Sequence, residues 1–224
     1  MQRDLQEVTK PTKIVLIGVT KPTKIVLIEV TKPTKIVKRG LPCPLFHLRG
    51  RTKMLKWVSI PEEYLNYLRD NGDKKIPYSD YGKDKYKPFF GVLFTIGNYA
   101  YVTQISHPQS RHLTMTEKPD FKKIYDGNRL LCVVNLNYMF PVPISELEYI
   151  QYANIEQYRS FKDDDEKSKY IQLLRKELQI INTRNIGVDA KMVYDHKYLY
   201  PKSNLANRCI DFRMLENLAD QYKK

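Results

Sequence analysis

From Leu55 onward the apolar positions follow two rhythms, first a period of two and later the period of a helix. Lys56-Trp57-Val58-Ser59 predicts a short strand. Ser59 and Glu62 have capping-box spacing and Pro61 suits a first turn, so a helix is predicted over Pro61–Arg69. Tyr64, Leu65 and Leu68 share its apolar face, and Asn71-Gly72-Asp73 stops it. A polar loop, Lys74–Lys87, follows and mixes Lys with Tyr78, Tyr81 and Tyr86. Phe89–Ile96 and Tyr99–Ile105 are β-rich runs joined by the hairpin pair Gly97-Asn98. Phe121–Tyr125 and Arg129–Asn135 repeat the pattern around Asp126-Gly127-Asn128. After Pro143 the period lengthens. Glu166–Asn182 carries Tyr170, Leu173, Leu174, Leu178 and Ile181 at helical spacing, and further helices are predicted over Val188–Tyr198 and Asp211–Tyr222. Strands first and helices later give an α+β fold, with a small, strongly curved antiparallel sheet or barrel and a mainly helical C-terminal half.

The N-terminus obeys neither rhythm. Thr9-Lys10-Pro11-Thr12-Lys13-Ile14-Val15 recurs unchanged at Thr20–Val26 and Thr31–Val37. Stacking repeats usually have longer periods and diverge at the surface, and a Pro in each copy opposes both central strand and helix. Two readings stand: a basic arm that binds nucleic acid or a partner, and a translated non-coding repeat ahead of the true start. Leu41–Lys53 reads as linker or leader. The expected division is a repeat extension over 1–53, disordered or outside the true reading frame start, and a working domain over 54–224.

Charge sharpens that division. The 224 residues carry a net charge of +13. Residues 1–53 hold 12 Lys+Arg against 3 Asp+Glu, a net of +9, so the remainder is only mildly basic. Nucleic-acid binding by the remainder must therefore rest on local clusters. Cys43, Cys132 and Cys209 are widely spaced and form no CxxC pair, which suggests neither a disulfide framework nor a zinc site. No signal peptide is visible, and no run approaches the roughly 20 apolar residues of a membrane helix. A soluble protein of a reducing cytoplasm, with no membrane association, is expected. The chain lacks a Gly-rich phosphate loop, HExxH and GxSxG, so nucleotide hydrolysis, zinc proteolysis and serine hydrolysis have no support. Asp163-Asp164-Asp165 is read as a helix start, since consecutive carboxylates diverge around a helix and suit its N-terminal dipole.

Several segments share an order and spacing with one known family. Lys56-Trp57 and Ser59, then Tyr64-Leu65 and Tyr67-Leu68, match its opening strand and helix. Lys87-Pro88-Phe89-Phe90-Gly91-Val92-Leu93 matches a basic–aromatic–Gly–Val–Leu strand start, and Met139-Phe140-Pro141-Val142-Pro143 a Met-Ile-Pro-Val-Pro loop. Asp211-Phe212 and Leu215-Glu216 fit its end. From Leu55 to about Tyr222 the chain resembles the ToxN/AbiQ family of type III toxins. The resemblance implies an SH3-like barrel of the MazF/Kid type with flanking helices. It implies an endoribonuclease of a toxin–antitoxin, abortive-infection system that uses no metal or other cofactor and leaves a 2′,3′-cyclic phosphate. The implied partners are an antitoxin RNA of tandem repeats, a cellular or phage RNA substrate, and closed toxin–RNA assemblies. Because such antitoxins are encoded as repeats just upstream, residues 1–53 read as translated antitoxin DNA and leader. A non-catalytic RNA- or DNA-binding module is the competing function.

Metal-free RNA cleavage needs a proton acceptor for the 2′-hydroxyl, a donor for the 5′-oxygen and cations facing the phosphorane. Lys87, where the polar loop meets a strand, is the first candidate for phosphate stabilisation; the resemblance places a basic residue there, and the plain alternative is a solvated lysine. Hairpin pairing brings Ser106-His107-Pro108 beside it. Ser106 suits a hydrogen bond to phosphate. His107 stands where the family usually has Ser, and its ordinary pKa suits proton transfer, although a lone histidine can equally be inert. Tyr64 matches an active-site tyrosine of the family and equally a core position. Tyr86 and Tyr81 are candidates for stacking on bases or are plain loop tyrosines. Lys83, Lys85, Arg111 and His112 complete the RNA-binding candidates.

Overall fold

The computed structural model describes residues 54–80, 82 and 85–222. The chain divides between Leu48 and Arg49 into two units, and the second holds every described residue. The reading of residues 1–53 lies outside the described residues.

Strand β1 (Lys56–Ser59) leads into helix α1 (Glu62–Asn71), whose buried side includes Tyr64, Leu65 and Leu68, as their spacing predicts. The predicted capping box is absent. Pro61 is the N-cap and no side chain caps the helix, so Ser59 lies too far upstream to reach the first turn. Ser59 Oγ instead accepts from the Tyr86 hydroxyl (3.2 Å), and Glu62 pairs with Arg69 and accepts from Ser79 Oγ (2.8 Å). Helix α1 stops at Gly72, where an added Cβ would lie 2.8 Å from Leu218 Cδ1; the glycine lets this end pack close to a C-terminal helix.

The next run is broken where one strand was expected. Strand β2 (Phe89–Gly91) and strand β3 (Thr95–Ile96) flank Val92–Phe94, and both pair with strand β4 (Tyr99–Ser106). At the break, the Leu93 carbonyl faces Gly187, where a Cβ would sit only 2.6 Å away. A helix backbone approaches the sheet closely at this break. Gly97 (φ 52°) turns β3 into β4, and Gly127 (φ 55°) joins strand β5 (Phe121–Asp126) to strand β6 (Arg129–Asn135).

A single 3-10 turn, Leu136–Tyr138, steps the chain from β6 to strand β7 (Phe140–Pro143). Thus β4 pairs with β7 along its first half and with β6 along its second. The resemblance made this segment read as a loop, and Pro141 and Pro143 are nonetheless compatible with a strand. They stand opposite Tyr101 and Tyr99, and alternation in an antiparallel ladder leaves such positions free of a donor to the partner. A short strand β8 (Glu148–Tyr149) completes an eight-stranded sheet of order β5-β6-β4-β2-β1-β8, with β3 and β7 also on β4. All pairings are antiparallel, and the order ends at β5 and β8 without meeting.

Among the described residues five further α-helices follow β4. Helix α2 (Ser110–Thr114) follows β4. Helix α3 (Asp164–Thr183) starts where expected, with the Asp163 carboxylate accepting from the Glu166 amide (2.8 Å). Helices α4 (Ile186–Leu199), α5 (Asn204–Arg208) and α6 (Phe212–Gln221) follow, α6 capped by Asp211. Five-residue helices such as α2 and α5 are too short to leave a periodic signal. The core joins Trp57, Phe89, Phe90, Tyr101 and Phe140 of the sheet to Phe212 of α6, all essentially without solvent contact. The α+β class and antiparallel sheet match the sequence reading. Among the described residues no helix is long and apolar enough to cross a membrane.

Candidate active site

The loop before β2 is fastened to β4 by its backbone. Gln104 of β4 is buried, and its Nε2 donates to the carbonyls of Lys87 and Tyr78 (both 2.9 Å). The Lys87 amide donates to the Ser79 carbonyl (2.8 Å). Lys87 is therefore held from both sides where the chain enters the sheet, while its side chain remains partly exposed.

Beside it lies a cavity of about 410 Å³, within the size range of small-molecule sites. The approach to β2 contributes Lys85, Tyr86, Lys87 and Pro88, and the end of β4 contributes Ile105 and His107. Helix α3 supplies the facing wall with Tyr170, Leu173, Leu174 and Glu177, one face at helical spacing. Arg159 completes it. Two ties hold the walls together. The Tyr170 hydroxyl donates to the Tyr86 carbonyl (3.1 Å), and the Arg159 guanidinium lies 4.5 Å from the centre of the Tyr170 ring while binding Glu166 (2.7 Å). Burial pushes the Tyr170 hydroxyl up to about 12, against the opposing pull of Arg159, so it remains a donor near neutral pH.

Three cations and one carboxyl group line this cavity, a balance that suits a phosphodiester. His107 lies at the surface end. Partial desolvation, and secondarily the nearby Lys87 ammonium, holds its imidazole below the usual histidine range. Glu177 lies at the inner end, 1% exposed, and its Oε1 has no hydrogen-bond partner among the described residues. Burial alone raises its carboxyl from 4.5 to about 7.

Of the residues singled out in the sequence, the structure brings Lys85, Tyr86, Lys87 and His107 together. The Tyr86 ring is buried and stacks on Tyr158 (centroids 5.2 Å apart), so it is a wall of the cavity and is not presented to a base. Ser106 is half-buried, pairs with Val133 and does not line the cavity. Tyr64 is wholly buried, donates to the Pro141 carbonyl (2.8 Å) and packs on Tyr222; of its two readings the geometry realises the core position. His112 is buried in α2, where its Nδ1 accepts from the Gln109 amide (3.1 Å) and its ring lies against Phe121. Burial, with Arg111 and Lys123 nearby, lowers its pKa. Arg111 is exposed on the same helix. Tyr81 and Lys83 lie outside the described residues.

The sequence reading missed Gln104, Arg159, Tyr170 and Glu177. One signal was present for Glu177: it sits three residues after Leu174 and four before Ile181, an acid within an apolar helical stripe. Among the described residues no three His, Cys, Asp or Glu side chains gather as a metal site would require.

Residues 56–220 match the family model for toxin ToxN of type III toxin–antitoxin systems. Endoribonuclease ToxN of Pectobacterium atrosepticum is 23% identical over 141 residues, covering 61% of this chain and 77% of that protein. A solved bacterial type III system, whose toxin is inhibited selectively by a non-coding RNA pseudoknot, aligns with a TM-score of 0.62 at 25% identity, covering 77% of this chain and 99% of that one. The fold is also that of AbiQ, a lactococcal anti-phage endoribonuclease (TM-score 0.59, 19% identity, 76% and 98% covered). With the match spanning nearly all the described residues, the chain belongs to the ToxN family of type III toxin–antitoxin toxins.

Proposed function

We propose that this chain is an endoribonuclease toxin that cuts RNA by attack of a 2′-hydroxyl on the adjacent phosphorus. The observation that carries this reading is one cavity lined by Lys85, Lys87 and Arg159 together with His107 and Glu177. Cations there offset the charge that builds on the phosphorane, and two titratable groups lie within the same space. Such chemistry uses no metal and leaves a 2′,3′-cyclic phosphate and a 5′-hydroxyl.

The working domain on this reading is 54–224, acting in the cytoplasm as part of an abortive-infection system. An antitoxin RNA of tandem repeats, bound in a closed assembly with several toxin copies, holds it inactive; support comes from one similar toxin inhibited by an RNA pseudoknot and a second similar system regulated by a processed non-coding RNA. Residues 1–53, with their three unchanged copies, are translated antitoxin DNA and leader. The finer fold reading is an SH3-like barrel of the MazF/Kid type, and its support is that two strands share each flank of β4.

The test is cleavage of long RNA by the full chain in excess EDTA, beside Lys87→Ala, with product ends mapped. Cyclic-phosphate ends made by the unmutated protein alone are expected. RNA bound tightly and left intact would turn the reading to a non-catalytic binding module.

A further inference from the structure

We propose that Glu177 is the general acid of this site, delivering its proton to the departing 5′-oxygen, and that His107 is the base that takes the 2′-hydroxyl proton. This assignment rests on the endoribonuclease reading above and goes further by giving each proton a named carrier.

Placement comes first. Glu177 and His107 line one cavity with Lys87 but stand on different elements, α3 and the end of β4. A reacting linkage seated against Lys87 therefore has a titratable group from each wall. In-line displacement requires this, because the attacking and leaving oxygens lie on opposite sides of phosphorus.

The surroundings of Glu177 then decide which form it holds. Its side chain is buried, and Oε1 meets no donor among the described residues. An ionised carboxylate carries two acceptor oxygens and needs donors at both; a carboxylic acid needs fewer and supplies one. Tyr170 on its own helix and Cys132 from β6 feel its charge directly, and Lys85 and Lys87 from the approach to β2, Arg159 and His107 share its cavity. Arg159 is committed to Glu166 and to the Tyr170 ring, and desolvation is the only influence that shifts Glu177. The carboxyl consequently keeps its proton to about pH 7. His107, partly desolvated and beside Lys87, is shifted toward its neutral form. The two shifts run in opposite directions, toward a protonated acid and a free imidazole, and set the division of labour.

The step balances with these two residues. The O2′–P bond forms as the 2′-hydroxyl proton moves to the imidazole. The P–O5′ bond breaks as O5′ takes the Glu177 proton. Products are the cyclic phosphate and a 5′-hydroxyl, with an imidazolium and a carboxylate left behind. Proton exchange with solvent restores both groups.

The experiment is single-turnover cleavage by the full chain from about pH 5 to 9, across the range where both groups titrate. Two forms of one short RNA are used, one normal and one with sulfur replacing the bridging 5′-oxygen at the mapped cleavage position. A thiolate leaves without a proton, so this substrate bypasses the general acid. Glu177→Gln is expected to slow the normal RNA about 10²-fold or more and to remove the alkaline fall in rate. It is expected to cut the sulfur RNA at the unmutated rate. Thermal melting checks the fold, and Glu177→Met, which also lacks the proton, serves if Gln is not tolerated. Normal cleavage by the variants, or a defect that sulfur does not relieve in a folded protein, overturns the assignment. Failure of the unmutated chain to cut either RNA overturns the nuclease reading and this assignment with it.

Discussion

Two cavities lie at opposite ends of β4, and they differ in everything but size. At the far end, the cavity of about 410 Å³ gathers three cations, an imidazole and a buried acid. Near Tyr99, a cavity of about 490 Å³ is lined by Asn98, Tyr99, Glu146, Asp220 and Tyr222, with no lysine or arginine. The larger space faces carboxylates and repels a phosphodiester, so charge, and not volume, picks out the site. Two acidic residues on the neighbouring helices also differ in how they are matched. On α6, which walls the second cavity, Glu216 Oε1 accepts from the hydroxyls of Tyr101 (2.7 Å) and Tyr194 (3.0 Å). On α3, Glu177 Oε1 accepts from nothing described. A carboxyl group with its donors in place holds a fold together. One without them is poised to hold and release a proton.

The strongest challenge to this contrast is Lys87→Ala. Removing one preorganised cation from a developing phosphorane is expected to lower the cleavage rate about 10²- to 10³-fold. The melting temperature should stay near that of the unmutated chain; a matching loss of stability would instead make Lys87 a structural residue. Next comes the pH dependence of stability at Glu177. The folded protein keeps this proton to about pH 7, whereas the unfolded chain releases it near 4.5. Stability from this group is therefore whole below about 4.5, declines as pH rises between the two values, and stays lost above. The displacement corresponds to roughly 3 kcal/mol. Denaturant unfolding at acid and alkaline pH should show Glu177→Gln losing less stability with rising pH than the unmutated chain, and parallel curves would contradict a displaced titration.

At the other end of β4, Glu216→Ala strands two tyrosine hydroxyls, one of them on the fully buried Tyr101. A cost of about 2 kcal/mol is expected in chemical denaturation, with the cleavage rate of the folded fraction unchanged. The smallest effect belongs to Asp220→Asn, which touches an exposed bond from Tyr99. It should stay within about 0.5 kcal/mol and leave cleavage intact. A clear loss of cleavage there would show the second cavity to be part of the site.

Local pattern made part of this legible and hid the rest. Lys87 and His107 could be found because each adjoins a strand whose hairpin partner is close in sequence, so pairing alone brings them together. Glu177 joins them from about 70 residues beyond His107, across a packing of helix on sheet that no local rhythm records. The spacing of Tyr64, Leu65 and Leu68 told correctly which face of α1 is buried, and that burial is why Tyr64 lies in the core. The capping motif misled because Pro61 moved the helix start, and β7 went unseen because its prolines occupy ladder positions where no donor is needed.

One feature of the chain order bears on how a cell makes such a protein. Proteins begin to fold during synthesis, N-terminal parts first. Both the loop before β2 and the end of β4 leave the ribosome well before α3, which closes at Thr183. Until that helix emerges, the cations of the cavity have no opposite wall and no acid. On the proposed assignment, the cutting site is therefore completed only when translation is nearly finished.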